Sequence, residues 1–116
     1  MDIDKTKLYY FAHPYTSNIP IINILIHIFR YIQCLIRTAR LLKRGFMVFS
    51  PIAHSAFIPV RLGWDAWMDL DHKIMQACDA MIIPKNYKNS LGCLMEYTWF
   101  KNHGKTVLFY EDIVRN

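Results

Sequence analysis

The segment from Ile19 to Ile36 constrains this chain more than any other, because it is apolar enough to imitate a membrane span. It is not uniformly apolar. Asn23, His27, Arg30 and Gln33 interrupt it, and Arg37, Arg40 and Arg44 continue the series. At about 100° per residue these groups fall within an arc of about 140° on one helix face. Arg30 at the centre of a bilayer would be costly. The pattern predicts a helix outside the membrane, covered on more than one side by its own sheet and by a partner subunit. Arg30, Arg37 and Arg40 then line a helix face or a subunit interface.

The rest of the chain alternates strand-like and helix-like signals, which is the signature of an α/β layer fold. Strands are predicted at Lys7 to Ala12, Phe46 to Ser50, Ala80 to Pro84 and Thr106 to Tyr110. Helices are predicted from about Pro20 to Lys43, from Gly63 to Cys78 and from Leu91 to Asn102. Gly45 and His103-Gly104 stop the first and third helices, and Ser90 caps the third. Residues 51–63 read as an ordered loop with a short helix, and Tyr87 to Asn89 as a polar turn. The expectation is a single domain over residues 1–116, a Rossmann-like (flavodoxin-like) three-layer sandwich with a mostly parallel sheet of 4-5 strands. Ligands bind such sheets outside the carboxyl ends of the strands. That gathers His13-Pro14-Tyr15, Ser50-Pro51 and the loop after Pro84 around one site.

The formal charge of +5 suits an anionic small molecule. The basic residues are spread out, and no stacking motif accompanies them, so a polynucleotide is not the expected partner. Cys34, Cys78 and Cys93 are odd in number and lack the paired spacing of a zinc site. They read as buried, reduced thiols. The N-terminus opens acidic and mixed rather than as a secretory signal, and the expectation is a cytoplasmic protein not bound to membranes.

Two carboxylates occupy faces that should be apolar. In the second helix Trp64, Trp67, Met68, Ile74, Met75 and Cys78 share a face, and Asp71 projects near its centre. Asp65, Asp69, His72 and Lys73 take the solvent side. In the third helix Gly92, Cys93, Trp99 and Phe100 share a face with Glu96 in the middle. Gly92 lies one turn before Glu96 and leaves space through which a ligand can approach. A carboxylate aimed at a core costs several kcal/mol unless it is paired or faces a cavity. Two inward carboxylates can divide labour, one acting on a cationic sugar centre and the other handling a proton. Pairing with a buried Arg, or capping of a backbone group, is the structural alternative for each.

Three stretches carry a resemblance. They are Tyr9-Tyr10-Phe11-Ala12-His13-Pro14-Tyr15, then Phe49-Ser50-Pro51-Ile52-Ala53-His54-Ser55 with Trp64-Asp65-Ala66-Trp67 and Asp71 to Asp79, then Ser90-Leu91-Gly92-Cys93-Leu94-Met95-Glu96. In order and spacing they resemble the nucleoside 2-deoxyribosyltransferase-like superfamily, which includes nucleoside-monophosphate N-glycosidases. The resemblance implies a homo-oligomer, a dimer or higher, acting on a nucleoside or nucleotide. Glu96 would be the nucleophile at the anomeric carbon. Asp71 would hold the sugar or assist proton transfer to the base, and Tyr10 would position Glu96. Ser90 falls where hydrolase members contact a 5′-phosphate, and a helix N-terminus favours an anion there. No metal or other cofactor is implied, since the carboxylate itself stabilises the charge.

The chain departs from the family pattern at His13, where members often carry glycine. An imidazole there would narrow the pocket or touch a phosphate beside Pro14. Asn116 is the one obvious residue for completing a neighbouring subunit's site. His54 reads as a pocket or a structural residue, Trp64 and Trp67 as stacking surfaces for a base with core packing expected for one of them, and Asp79 as a structural turn residue. His27, His72 and His103 read as ordinary helix-face or helix-end histidines. Two further functions compete with the enzyme: a nucleotide-binding or sensor module of the same fold, and a structural subunit docking through its first helix.

Overall fold

The computed structural model describes residues 3–14, 23–55 and 64–115. Four parallel strands form one sheet in the order β2-β1-β3-β4. They are β1 (Tyr9–Phe11), β2 (Val48–Phe49), β3 (Ala80–Ile83) and β4 (Thr106–Phe109). The helices are α1 (Asn23–Lys43), α2 (Pro51–Ser55), α3 (Trp64–Ala77), α4 (Leu91–Asn102) and α5 (Tyr110–Arg115). This is the α/β three-layer arrangement that the alternating pattern predicts. The strand order reverses between β1 and β3, so their carboxyl ends flank the crevice where ligands bind in such sheets.

Period-2 alternation along β1 and β3 sorts the core into two halves. Tyr9, Phe11, Ala80 and Ile82 face Cys34 and Leu41 of α1 and Tyr110 and Ile113 of α5. Tyr10, Ala12, Met81 and Ile83 face Met75 of α3, Cys78, and Cys93 and Phe100 of α4. Each fully buried aliphatic or aromatic side chain contributes about 1.5–3 kcal/mol to the fold.

Helix ends follow the chemistry of the sequence. Gly45 has φ 100 and Gly104 has φ 67, backbone angles at which a side chain is strained. Both close a double reverse turn: Phe46 N–H donates to Leu41 O at 3.1 Å and Gly45 N–H to Leu42 O at 3.0 Å, and Lys105 and Gly104 repeat the pattern on Phe100 and Lys101. Helix α3 lacks such a glycine. Lys105 Nζ donates instead to the carbonyls of Met75, Gln76 and Cys78 at 3.2, 3.0 and 2.6 Å. Asp79 accepts from Leu8 N–H at 2.8 Å and its own N–H donates to Leu8 O at 2.8 Å, which locks the turn into β3 onto β1.

Several boundaries differ from the sequence reading. β1 and β2 are shorter than predicted. The final strand ends at Phe109, and Tyr110 opens a helix that the sequence reading did not anticipate. Glu111 and Asp112 in its first turn favour a helix N-terminus. Glu111 accepts from Lys85 N–H at 2.9 Å, and Asp112 pairs with Lys85 Nζ at 2.8 Å. The short helix expected within 51–63 is α2; residues 56–63 lie outside the described residues. No helix among the described residues is long and apolar enough to cross a membrane.

Candidate functional site

Tyr10, Asp71 and Glu96 come together on the α3/α4 side of the sheet. Tyr10 is fully buried in β1, and the alternation of the strand turns its ring toward α4, where it packs 5.7 Å from the Phe100 ring. Its hydroxyl donates to Glu96 Oε2. Glu96 sits in the middle of α4, a helix whose inward face is set by Cys93 and Phe100. Its carboxyl group lies deep, and burial pushes its pKa up to about 7. The Tyr10 hydroxyl opposes that rise, and the nearby Asp71 carboxyl adds to it. Asp71 is half-buried on α3 and its pKa is also raised by burial. Asp69, His72 and Lys73 around it face solvent. Burial and the two carboxylates hold the Tyr10 phenol well above the ordinary tyrosine range, so it remains a donor.

Gly92 lies one turn before Glu96 on α4 and is exposed. Among the described residues, a Cβ built at Gly92 meets nothing within 4 Å. Ser90 caps α4, its Oγ accepting from Cys93 N–H at 3.4 Å. Arg30 on α1 is close enough to act electrostatically on both His13 and Cys93: it adds to the depression of the His13 pKa by burial and opposes the rise of the Cys93 pKa by burial.

His13 lies on the other side of the sheet. Its ring packs edge-on to Phe11 at 5.7 Å, and the residue is 5% exposed. Nδ1–H donates to the Pro14 carbonyl at 2.9 Å, and Nε2 accepts from Arg37 Nη1 at 3.3 Å. A carbonyl can only accept and a guanidinium can only donate, so one neutral tautomer satisfies both contacts. Burial depresses the His13 pKa to about 4. Arg37 is held in turn over the Tyr110 ring, 4.7 Å from its centroid. His13 therefore braces the loop after β1 against α1, and its ring nitrogens are already engaged. Arg37 was legible only as a member of the polar stripe; nothing in its spacing announced a contact 24 residues away in sequence.

The remaining candidates lie around the rim or beyond the described residues. His54 is exposed on α2, its ring 5.4 Å from Phe49. Ser50, buried at the end of β2, accepts from Ala53 N–H at 3.2 Å and contacts Cys34 Sγ at 3.2 Å. The side chains of Trp64 and Trp67, and Tyr15 and Asn116 entirely, fall outside the described residues. Cys34, Cys78 and Cys93 are buried free thiols. Among the described residues, no three His, Cys, Asp or Glu side chains gather to hold a metal ion.

A half-buried carboxylate steadied by a phenol, with a second carboxylate within electrostatic reach, can attack an electron-poor carbon and manage the accompanying proton. No curated protein matches the chain. A family model matches residues 7–112, from just before β1 into the first turn of α5. On that match the chain belongs to the family described as Domain of unknown function (DUF1937).

Proposed function

We propose that the chain cleaves the N-glycosidic bond of a (deoxy)nucleoside or its 5′-monophosphate, passing the sugar to water or to another base. The observation that carries this reading is the hydrogen bond from Tyr10 to a half-buried Glu96 beside Asp71, at the switch point of a parallel sheet. Ionised Glu96 attacks C1′ as the C1′–N bond breaks. The departing base takes a proton from the neutral form of Asp71 or from solvent. Water or an acceptor base then attacks C1′, the Glu96–sugar bond breaks, and the proton that the attacking group loses returns to Asp71 or to solvent, whichever supplied the first. The capped N-terminus of α4 and the field of Arg30 support a 5′-phosphate at the rim. The buried free thiols fit a reducing compartment.

One observation favours a second reading, a nucleotide-binding module. A Glu96 pKa of about 7 leaves part of the nucleophile protonated at neutral pH, able to donate a hydrogen bond instead of attacking. Incubation with ribo- and deoxynucleosides and their 5′-monophosphates, with and without an acceptor base, separates the two. The enzyme releases free base, and Glu96→Gln abolishes release while retaining ligand binding. Tight binding with no base released by either protein would replace the enzyme with the module.

A further inference from the structure

Helix α1 is mounted with its apolar face outward. Cys34 and Leu41 are fully buried against the sheet, and Arg37 is turned inward to His13 and Tyr110. The opposite face carries Leu25, Ile28, Phe29, Ile32, Leu35 and Ile36, all exposed, with Leu25 at 71% and Phe29 at 64%. Their spacing places them within an arc of about 120°. Together they leave roughly 600 Å² of apolar surface in water, at the upper end of what a monomer tolerates and close to the 800 Å² per partner of a standard interface.

We propose that this face is the contact between two copies of the chain, with their α1 helices packed antiparallel about a two-fold axis near Phe29 and Ile32. The charge distribution favours a second copy. The apolar residues occupy the N-terminal two-thirds of α1, whereas Arg40, Lys43 and Arg44 gather at its C-terminal end. An antiparallel pair lays the apolar segments together and sends the basic ends apart. At 1.5 Å per residue the two Arg44 residues lie roughly 40 Å from each other along the axis, several screening lengths in physiological salt. A two-fold contact uses the same patch on both partners, so one self-complementary stripe suffices. A lipid surface fits less well. The cations follow one edge of the stripe and its C-terminal end, and the other edge, at Tyr31 and Thr38, carries none. Arg37 lies both beside this stripe and on His13, so the contact adjoins the brace behind the candidate site.

Sedimentation equilibrium of the full chain from low to high micromolar concentration tests the proposal. The expected species has twice the 13.8 kDa chain mass. Phe29→Glu and Ile32→Glu each raise the dimer dissociation constant at least roughly 30-fold, as hot-spot residues do, with helical circular dichroism unchanged. Ile32→Cys supplies a measurement that does not depend on tolerating a charge. Because the native thiols are buried, mild oxidation joins two copies through residue 32 alone. A wild-type chain that stays monomeric throughout, or a dimer that survives both charged substitutions and does not cross-link, overturns the proposal. So does a monomer that binds anionic vesicles and loses that binding in Phe29→Glu.

Discussion

Helices α1 and α4 cover opposite faces of one sheet, and each breaks the rule that helices turn apolar residues inward and charge outward. Helix α4 carries the charge of Glu96 into the core. Helix α1 carries a row of aliphatic and aromatic side chains out into water. The two violations cost free energy for different reasons and answer to different partners. A buried carboxylate is tolerated where a ligand needs it, since an apolar residue of similar size would pack at lower cost. An outward apolar row is tolerated where another surface removes it from water. On the proposed readings they divide the molecule into a chemical side, β1 with α3 and α4, and a docking side, α1.

The comparison breaks first on Glu96→Gln. With Glu96 as the proposed nucleophile, the substitution lowers base release at least roughly a thousandfold. The same change removes a buried charge. The Glu96 pKa is raised in the fold from 4.5 to about 7. Its contribution to stability is therefore fully present below pH 4.5 and lost as pH rises through about 7. Glu96→Gln raises the melting temperature at pH 8 and changes it little at pH 4. A catalytic loss without that pH-dependent gain would mean that Glu96 is not held as a buried charge.

The two faces of α1 give the next contrast. Leu41→Ala, on the buried face, costs about 2–5 kcal/mol of folding free energy. Phe29→Ala, measured by urea unfolding on chains dilute enough to be monomeric, costs under about 1 kcal/mol. Equal losses would put the outward face inside the core of the chain itself.

Tyr10→Phe sharpens the chemical side. Removing the donor to an ionised carboxylate lowers the rate by about 10–100-fold. In the proposed reaction base release needs ionised Glu96, so the expected wild-type rate rises with pH through about 7. Because the Tyr10 hydroxyl lowers the Glu96 pKa, the rise moves to higher pH in the variant. An unmoved pH profile would make Tyr10 a packing residue only. The smallest expected effect is at Lys105→Met, which leaves the last carbonyls of α3 without their cation and costs about 1–2 kcal/mol in thermal unfolding.

Local chemistry was readable in the sequence wherever one short segment decides the outcome. Ser90 announced the start of α4, Gly45 the end of α1, and Asp79 its place in a turn; each acts within a few residues of itself. The inward direction of Asp71 and Glu96 followed from helical period alone. What could not be read depends on contacts between segments far apart. His13 reads as a neighbour of Pro14 in the sequence; that strand alternation sets it opposite Tyr10, with Arg37 of α1 against its ring, comes only from the packed structure. The polar stripe of α1 was legible as a stripe, yet only the packed structure shows that its Arg37 faces inward while the apolar side is left outside. Helix α5 escaped because six residues joined directly to a strand carry too little periodicity, and its anchor, Lys85, lies on another loop.

The most direct test of the central claim is to mix the chain with the nucleoside or nucleotide from which it releases base, quench within one turnover, and map the tryptic peptides by mass. One sugar, or sugar phosphate, is expected on the peptide Asn89–Lys101, attached through Glu96 and absent in Glu96→Gln. Base release at an undiminished rate by Glu96→Gln, with no sugar on that peptide in either protein, would contradict it.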